Sequence, residues 1–196
     1  MEREERKRIL METTMQIIAE NGLAAFSIKQ VSNRAHINEA LMYRDFDTKE
    51  NLLFACYKSL NGKIEELYDS FDVEALKADE NPLEKLKDLW SDLFDLLVAE
   101  DYKTLYYLEY RDSLYLRSMR EKKPDVLDAY RDKFIAAAES INGEQDKKNM
   151  SLIWTFTLDG TADFAKRVIK KEIPWNKKAK ANIWDLLSHG LSGALN

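Results

Sequence analysis

The sequence predicts an all-α protein, and three observations support that fold class. Six Gly and three Pro occur among 196 residues, and so few chain breakers favour long helices over many short strands and turns. Apolar residues recur with helical spacing through most of the chain. Residue types that cap helices stand at the starts of these periodic segments. The chain shows neither an internal repeat nor a convincing strand.

The periodic segments predict helices in the following order. They cover residues 4–21, 28–35, 39–45, a long stretch from Lys49, a helix from Pro82, a tyrosine-rich segment at 102–117, a helix from Pro124, 146–171 and 177–194.

Helix ends are marked by residues that satisfy free backbone groups. Ser27, Asn38 and Thr48 each precede a predicted helix and can accept a hydrogen bond from its first turn. Asn81 followed by Pro at the first helical position is a further start signal. Gly22 follows the first helix, where glycine is common.

Composition and charge limit the possible functions. The net charge is −5, and the first fifty residues hold 8 Lys and Arg against 9 Asp and Glu. A nucleic-acid contact would therefore have to come from a local arrangement of side chains, because neither the chain nor its first fifty residues is basic overall. Cys56 is the single cysteine, which fits a reducing cytoplasm. No apolar run approaches the ~18 residues of a membrane span, so we expect a cytoplasmic protein.

Signals for an enzyme or a metal centre are weak. The two histidines, His36 and His189, are far apart in sequence and have no partner at metal-ligand spacing. The chain has no GxSxG, P-loop or GxGxxG pattern. We therefore expect no cofactor, no metal and no catalytic residues.

Residues 27–46 predict a helix-turn-helix. Two short helices are joined by a tight turn, and the second helix of such a motif places its N-terminal residues in the DNA major groove. That helix buries either Leu41 or Met42 together with Phe46. Helices this short need support, which the helix at 4–21 supplies.

The segment from Leu10 to Lys49 resembles the DNA-binding domain of the TetR family of bacterial repressors. The shared features are an Ile-rich first helix, a capped second helix, a Tyr-x-x-Phe end to the third helix, and Lys-Glu-x-Leu after it. They are carried here by Leu10, Thr13, Thr14, Ile17, Ile18, Ala19, Glu20, Gly22, Leu23, Ser27, Ile28, Val31, Ala35, Ile37, Asn38, Tyr43, Phe46, Lys49, Glu50 and Leu52. Beyond this quarter of the chain, the resemblance is one of length and helix content.

The chain departs from the family pattern in two ways. His36 stands in the turn where glycine is usual, at a position that often needs a positive φ. Glu39 and Asp45 place carboxylates in or beside the reading helix, where we expect them to repel phosphates. Glu39 could instead accept from a cytosine amine or stabilise the helix N-terminus.

The resemblance implies a set of residues at double-stranded DNA. The Ser27 end of its helix, Tyr43 and Lys49 are expected to hold phosphates. Lys29, Glu39, Leu41 and Arg44 are candidates for base edges. Asn38, at the start of the reading helix, completes the set.

The resemblance also implies two domains, at residues 1–48 and 49–196, and a homodimer on a palindromic site. We expect residues 146–171 and 179–195 to form the dimer interface. The apolar residues offered to it are Ile153, Trp154, Thr161, Ala165, Val168, Ile183, Leu186, Leu187 and Leu191. Gly160 and Ala162, with Gly190 and Gly193, would allow two helices to approach closely.

A small apolar or aromatic effector is expected to bind the second domain, in a cavity of ~300–1,000 Å³. One or two tyrosine hydroxyls are expected to hydrogen-bond the effector there. Its predicted wall residues are Trp90, Phe94, Tyr106, Tyr110, Phe134 and Trp154. The alternative for each of these residues is ordinary core.

Two other functions stay open on the sequence. A helical-bundle enzyme is one, although no motif supports it. A protein–protein adaptor that keeps the fold without DNA binding is the other, and its support is the acidic pair Glu39 and Asp45.

Overall fold

The computed structural model describes residues 1–72, 75, 80–116, 130–136 and 147–195. Within those ranges all regular structure is helical, as predicted. The helices are α1 (Arg3–Asn21), a 3₁₀ turn (Leu23–Ala25), α2 (Ile28–Ala35), α3 (Glu39–Phe46), α4 (Lys49–Asp69), α5 (Pro82–Ala99), α6 (Asp101–Arg111), α7 (Lys147–Ile169) and α8 (Lys177–Leu195). A further helical segment covers residues 130–136. The described helices include none long and apolar enough to cross a membrane.

The chain divides into two compact units. The first comprises Met1–Lys63 and Glu100–Lys123, and the second comprises Ile64–Ala99 and Pro124–Asn196. The predicted functional boundary lies at residue 48, whereas the compact units divide within α4. Residues from Glu100 onward join the first unit because α6 packs along α1.

In the first unit α1 contacts α2, α3, α6 and the 3₁₀ turn. Leu10, Ile18, Val31 and Leu52 are fully buried there. Met42, one of the two alternatives on α3, is 1% exposed, whereas Leu41 is half-buried. The buried apolar face of α3 is therefore the one that carries Met42.

A tyrosine cluster completes the first unit. Tyr57 and Tyr107 stack with ring centroids 5.1 Å apart and planes 3° from parallel. Tyr106 donates to the Leu53 carbonyl at 2.6 Å. Burial raises the pKa of Tyr110 to about 12, so this phenol stays neutral at physiological pH.

Helix α6 is shorter than the predicted 102–117. It ends at Arg111, and the Ser113 amide bonds the Tyr110 carbonyl at 3.0 Å. The Ser113 hydroxyl then accepts from the Leu116 amide at 3.3 Å. A serine that caps the following turn breaks the helix, and apolar periodicity does not show such a break. The helix expected from Pro124 falls within the described residues only at 130–136.

In the second unit α5, α7 and α8 pack against one another. A Cβ built on Gly160 of α7 would lie 2.7 Å from Leu187 Cδ2 of α8. The close approach predicted at Gly160 is thus made with α8 of the same protomer. Five residues assigned above to the dimer interface are instead buried within the protomer; they are Thr161, Ala165, Val168, Ile183 and Leu187.

Candidate nucleic-acid interface and ligand cavity

The helix-turn-helix is fixed by local hydrogen bonds. The Ser27 hydroxyl accepts from the Gln30 amide at 3.3 Å, and the Gln30 side chain accepts from the Ser27 amide at 2.7 Å. Asn38 Oδ1 accepts from the Ala40 amide at 2.8 Å. These caps confirm the predicted starts of α2 and α3 and set the angle at which α3 leaves the turn. Sequence reasoning found the caps but missed the role of Gln30.

His36 takes the left-handed conformation between these helices, with φ 54° and ψ 37°. The expectation of a positive φ at this position is confirmed. The Ile37 amide then bonds the Ser32 carbonyl at 3.1 Å, which closes the turn.

The outer face of α3 is open. Tyr43 is 47% exposed, and Arg44 and Asn38 are exposed beside it, as is Lys29 on α2. Glu39 and Leu41 are half-buried. An aromatic hydroxyl, a guanidinium and an ammonium are therefore displayed on adjoining short helices, and such groups bind phosphates and base edges.

Asp45 lies inside the unit, contrary to the expectation that its carboxylate would face DNA. Its side chain is fully inaccessible, because Arg6 of α1 binds it through Nε at 2.6 Å and Nη2 at 2.9 Å. Arg3 adds a contact at 3.3 Å. The hydrogen bond from Arg6 lowers the pKa of Asp45, and the charges of Arg6, Arg3 and Arg44 add to that effect. The carboxylate stays ionised, and its charge is compensated.

Lys49 has a protein partner already. Its Nζ donates to the Phe26 carbonyl at 3.4 Å and lies 5.0 Å from the Phe26 ring centroid. The Tyr115 ring centroid is 5.6 Å away. An ammonium has three protons, so the group can hold the end of the 3₁₀ turn and still contact an anion.

A tight turn at Asp47 links α3 to α4. Asp47 has φ 68° and ψ −48°, and the Thr48 amide bonds the Phe46 carbonyl across it at 2.8 Å. This is a γ-turn of the rare, strained kind. The Thr48 hydroxyl then accepts from the Asn51 amide at 3.0 Å, which confirms the predicted cap. An aspartate carries no sequence signal for this geometry.

The second unit contains a cavity of about 70 Å³. Seven aromatic side chains line it, among them Trp90, Phe134 and Trp154 of the predicted wall. The Trp90 indole donates to Thr161 Oγ1 at 3.0 Å. The volume is well below the predicted range, so a whole aromatic ligand needs some side chains to move aside.

Three other predicted wall residues lie elsewhere. Tyr106 and Tyr110 belong to the tyrosine cluster of the first unit. Phe94 lies in the second unit and stacks on Trp175, with ring centroids 4.7 Å apart, but it does not line the cavity. The sequence predicted that these rings face a cavity but could not show which unit they would pack in.

Residues 10–56 match the family model described as bacterial regulatory proteins, tetR family. That stretch contains the helix-turn-helix and most of helix α1, which packs behind it. The N-terminal part of the chain is therefore similar to the DNA-binding region of TetR-family regulators. A curated relative, the HTH-type transcriptional regulator BetI of Rhizobium meliloti, is 31% identical over 84 residues. The matched stretch covers 43% of this chain and 39% of that protein's length.

Solved TetR-like structures share the fold over nearly the whole chain. A TetR-like transcriptional regulator from Rhodococcus sp. RHA1 aligns with a TM-score of 0.70 and 18% identity, covering 98% of this chain and 99% of the other. The fatty acid degradation regulator FadR from Bacillus halodurans aligns with a TM-score of 0.66 and 17% identity, covering 97% and 95%. These similar proteins are named as regulators.

Proposed function

We propose that this protein is a cytoplasmic, ligand-responsive transcriptional repressor of the TetR family that binds a palindromic operator as a homodimer. The observation that carries the proposal is the exposed face of α3. Tyr43 and Arg44 stand on it, clear of the protein core, on a helix held by the turn at His36. A reading helix needs such a face to enter the major groove.

The charge around α3 supports DNA binding despite the acidic chain. Arg6 compensates Asp45, and Arg3, with a side chain 61% exposed, and Arg44 add positive charge on the same side. The other carboxylate within α3, that of Glu39, is at the N-terminus of the helix, where it stabilises the helix dipole or accepts from a cytosine amine. Much of the support for the adaptor alternative is thereby removed.

Roles for the individual contacts follow from chemistry and position. Ser27, Asn38, Tyr43 and Lys49 are proposed to hold phosphates, and Lys29, Glu39, Leu41 and Arg44 to meet base edges. Lys49 does so while it holds the Phe26 carbonyl.

A dimer is supported by apolar side chains left on the surface of the last two helices. Leu152 and Phe156 of α7 are 61% and 59% exposed, and Leu186 of α8 is 64% exposed. Phe156 lies one turn from Gly160, which packs on Leu187, the neighbour of Leu186. Large apolar side chains exposed on two helices that pack against each other are typical of an interface. Most homo-oligomers are two-fold symmetric dimers.

Response to an effector is proposed to run through α4. This helix begins at Lys49 beside the helix-turn-helix, and Tyr68 near its other end lines the cavity. A small neutral apolar or aromatic effector that binds the DNA-incompetent arrangement more tightly would shift the population toward it.

Selection of bound sites from a random duplex pool tests the function. We expect a palindrome, with binding that weakens steeply as salt rises. Arg44→Ala should change the recovered sequence, and Lys49→Ala should weaken all sites while lowering the salt slope by about one unit.

Lys87→Ala is a matched control for these charge changes, because this exposed lysine pairs with Glu84 in the second unit. It should leave both the recovered sequence and the salt slope unchanged. A wild-type protein that binds no duplex would favour the adaptor instead.

A thermal-shift screen of neutral, cationic and anionic aromatic compounds tests the sensor. Compounds that stabilise the protein are then tested for release of the selected duplex. Stabilisation by anionic compounds alone would contradict a neutral effector.

A further inference from the structure

The cavity of the second unit has walls that are almost entirely apolar. Besides its aromatic rings it is lined by leucines and two threonines, and none of the described lining residues carries a formal charge. An anionic or strongly hydrated ligand would lose its hydration there without a charged partner. The cavity therefore selects for neutral compounds.

Most polar groups of this wall already have partners. Thr161 Oγ1 accepts from the Trp90 indole and donates to the Thr157 carbonyl at 2.6 Å. The Tyr130 hydroxyl contacts the Asp69 carboxylate and the Glu65 carbonyl, so its single proton is committed. The Tyr130 hydroxyl is thus engaged with α4, and the two tyrosines of the predicted wall, Tyr106 and Tyr110, lie in the first unit.

Thr157 differs from these groups. Its hydroxyl oxygen is buried and has no hydrogen-bond partner among the described residues. Three other helical threonines donate to the carbonyl four residues earlier, namely Thr14 to Leu10, Thr155 to Ser151 and Thr161 to Thr157. Thr157 does not make that bond, and it lines the cavity. A buried hydroxyl without a hydrogen-bond partner destabilises the folded protein, so a ligand that supplies the partner would bind favourably.

We propose that Thr157 is the polar anchor of the effector site: its hydroxyl hydrogen-bonds the single polar atom of a neutral aromatic ligand whose ring packs among Trp90, Trp154 and Trp184. The inference rests on the effector site proposed above and names its ligand class. The ring enters beside Trp154 and Phe134, which are half-buried, whereas Trp90 and Trp184 are buried.

Phenol and toluene test the anchor, since they are nearly the same size and differ by a hydroxyl in place of a methyl. Their affinities are measured by calorimetry on the full chain. Thr157→Val keeps the shape of the side chain and removes the hydroxyl. We expect it to weaken phenol binding by about tenfold, the value of a hydrogen bond to a buried group, and to leave toluene binding within about twofold.

Two further variants separate the anchor from general damage. Thr157→Ser keeps the hydroxyl and should retain most of the phenol affinity. Thr155→Val removes an exposed hydroxyl on the same helix that already bonds Ser151, and should change neither ligand. Thermal melting of each variant checks that it folds.

The outcomes distinguish this inference from the function on which it rests. If Thr157→Val weakens the binding of both compounds equally, or of neither, Thr157 is not the anchor, although the ligand site itself is retained. If neither compound binds the wild-type protein, the effector site fails as well. Duplex binding remains an independent measure of the regulator itself.

Discussion

Arg6 and Asp45 join the first helix to the reading helix through two hydrogen bonds, of 2.6 and 2.9 Å, between side chains 39 residues apart. Both side chains are buried, at 7% and 0% exposure. Asp45 immediately follows Arg44, the proposed base reader. The pair therefore fixes the position of α3 on α1 at the residue next to a proposed DNA contact.

Removal of the carboxylate should destabilise the first unit. Asp45→Ala leaves the Arg6 guanidinium buried without its partner, and breaking a buried pair in this way costs on the order of 3 kcal/mol. Chemical denaturation measures the change. Glu5→Ala is the control, because Glu5 pairs with Arg8 on the open surface, and it should leave stability unchanged. Equal stability of both variants would contradict the role of the buried pair.

The same pair predicts a loss of stability in acid. The pKa of Asp45 is lower in the folded protein than in the unfolded chain because Arg6 hydrogen-bonds the carboxylate. Its contribution is complete above the unfolded pKa of about 4 and is lost as the pH falls through the folded pKa. Thermal unfolding between neutral and acid pH should show this dependence, and Asp45→Asn should reduce it. An unchanged acid dependence in Asp45→Asn would assign the effect to other groups.

Local elements of this fold could be read from the sequence. The bounds of α2 agree with the predicted 28–35, because Ser27 at its start and His36 at its end act on the backbone within one turn. The start of α5 at Pro82 was likewise predicted from two adjacent residues, Asn81 and Pro82. The environment of Asp45 could not be predicted, since Arg6 is distant in sequence and an acidic residue on a short helix is usually solvated.

The aromatic residues show the same limit at a larger scale. Tyr106 and Trp90 were both predicted as wall residues of the cavity, and both are buried. It could not show that Tyr106 would bond the Leu53 carbonyl of the first unit while Trp90 bonds Thr161 of the second. Which helices meet depends on long-range packing, so the predicted wall divided between two clusters.

His36 predicts a stabilising substitution. Its left-handed backbone is strained for a side chain that has a Cβ, and glycine adopts it freely. His36→Gly should raise the free energy of unfolding by about 0.5 kcal/mol after the greater entropy of the unfolded chain is counted. Asn33→Gly, on the exposed face of α2, should instead lower it by a few tenths of a kcal/mol. Denaturant titrations measure the change in the free energy of unfolding of each variant. A loss of stability in both variants would contradict the strain at His36.

The exposed apolar side chains of α7 and α8 predict the oligomeric state. Phe156 and Leu186 lie on the protomer surface, so a charge at either position costs the folded monomer little. In a dimer each would be buried against its symmetry mate, and a two-fold axis doubles the number of buried carboxylates. Phe156→Glu and Leu186→Glu should therefore give monomers by light scattering at micromolar concentration, with unchanged helix content and strongly weakened binding to the selected palindrome. Leu114→Glu is the matched control, because Leu114 is 77% exposed in the first unit, and it should remain dimeric. A wild-type monomer, or variants that stay dimeric, would show that another surface, or none, joins the protomers.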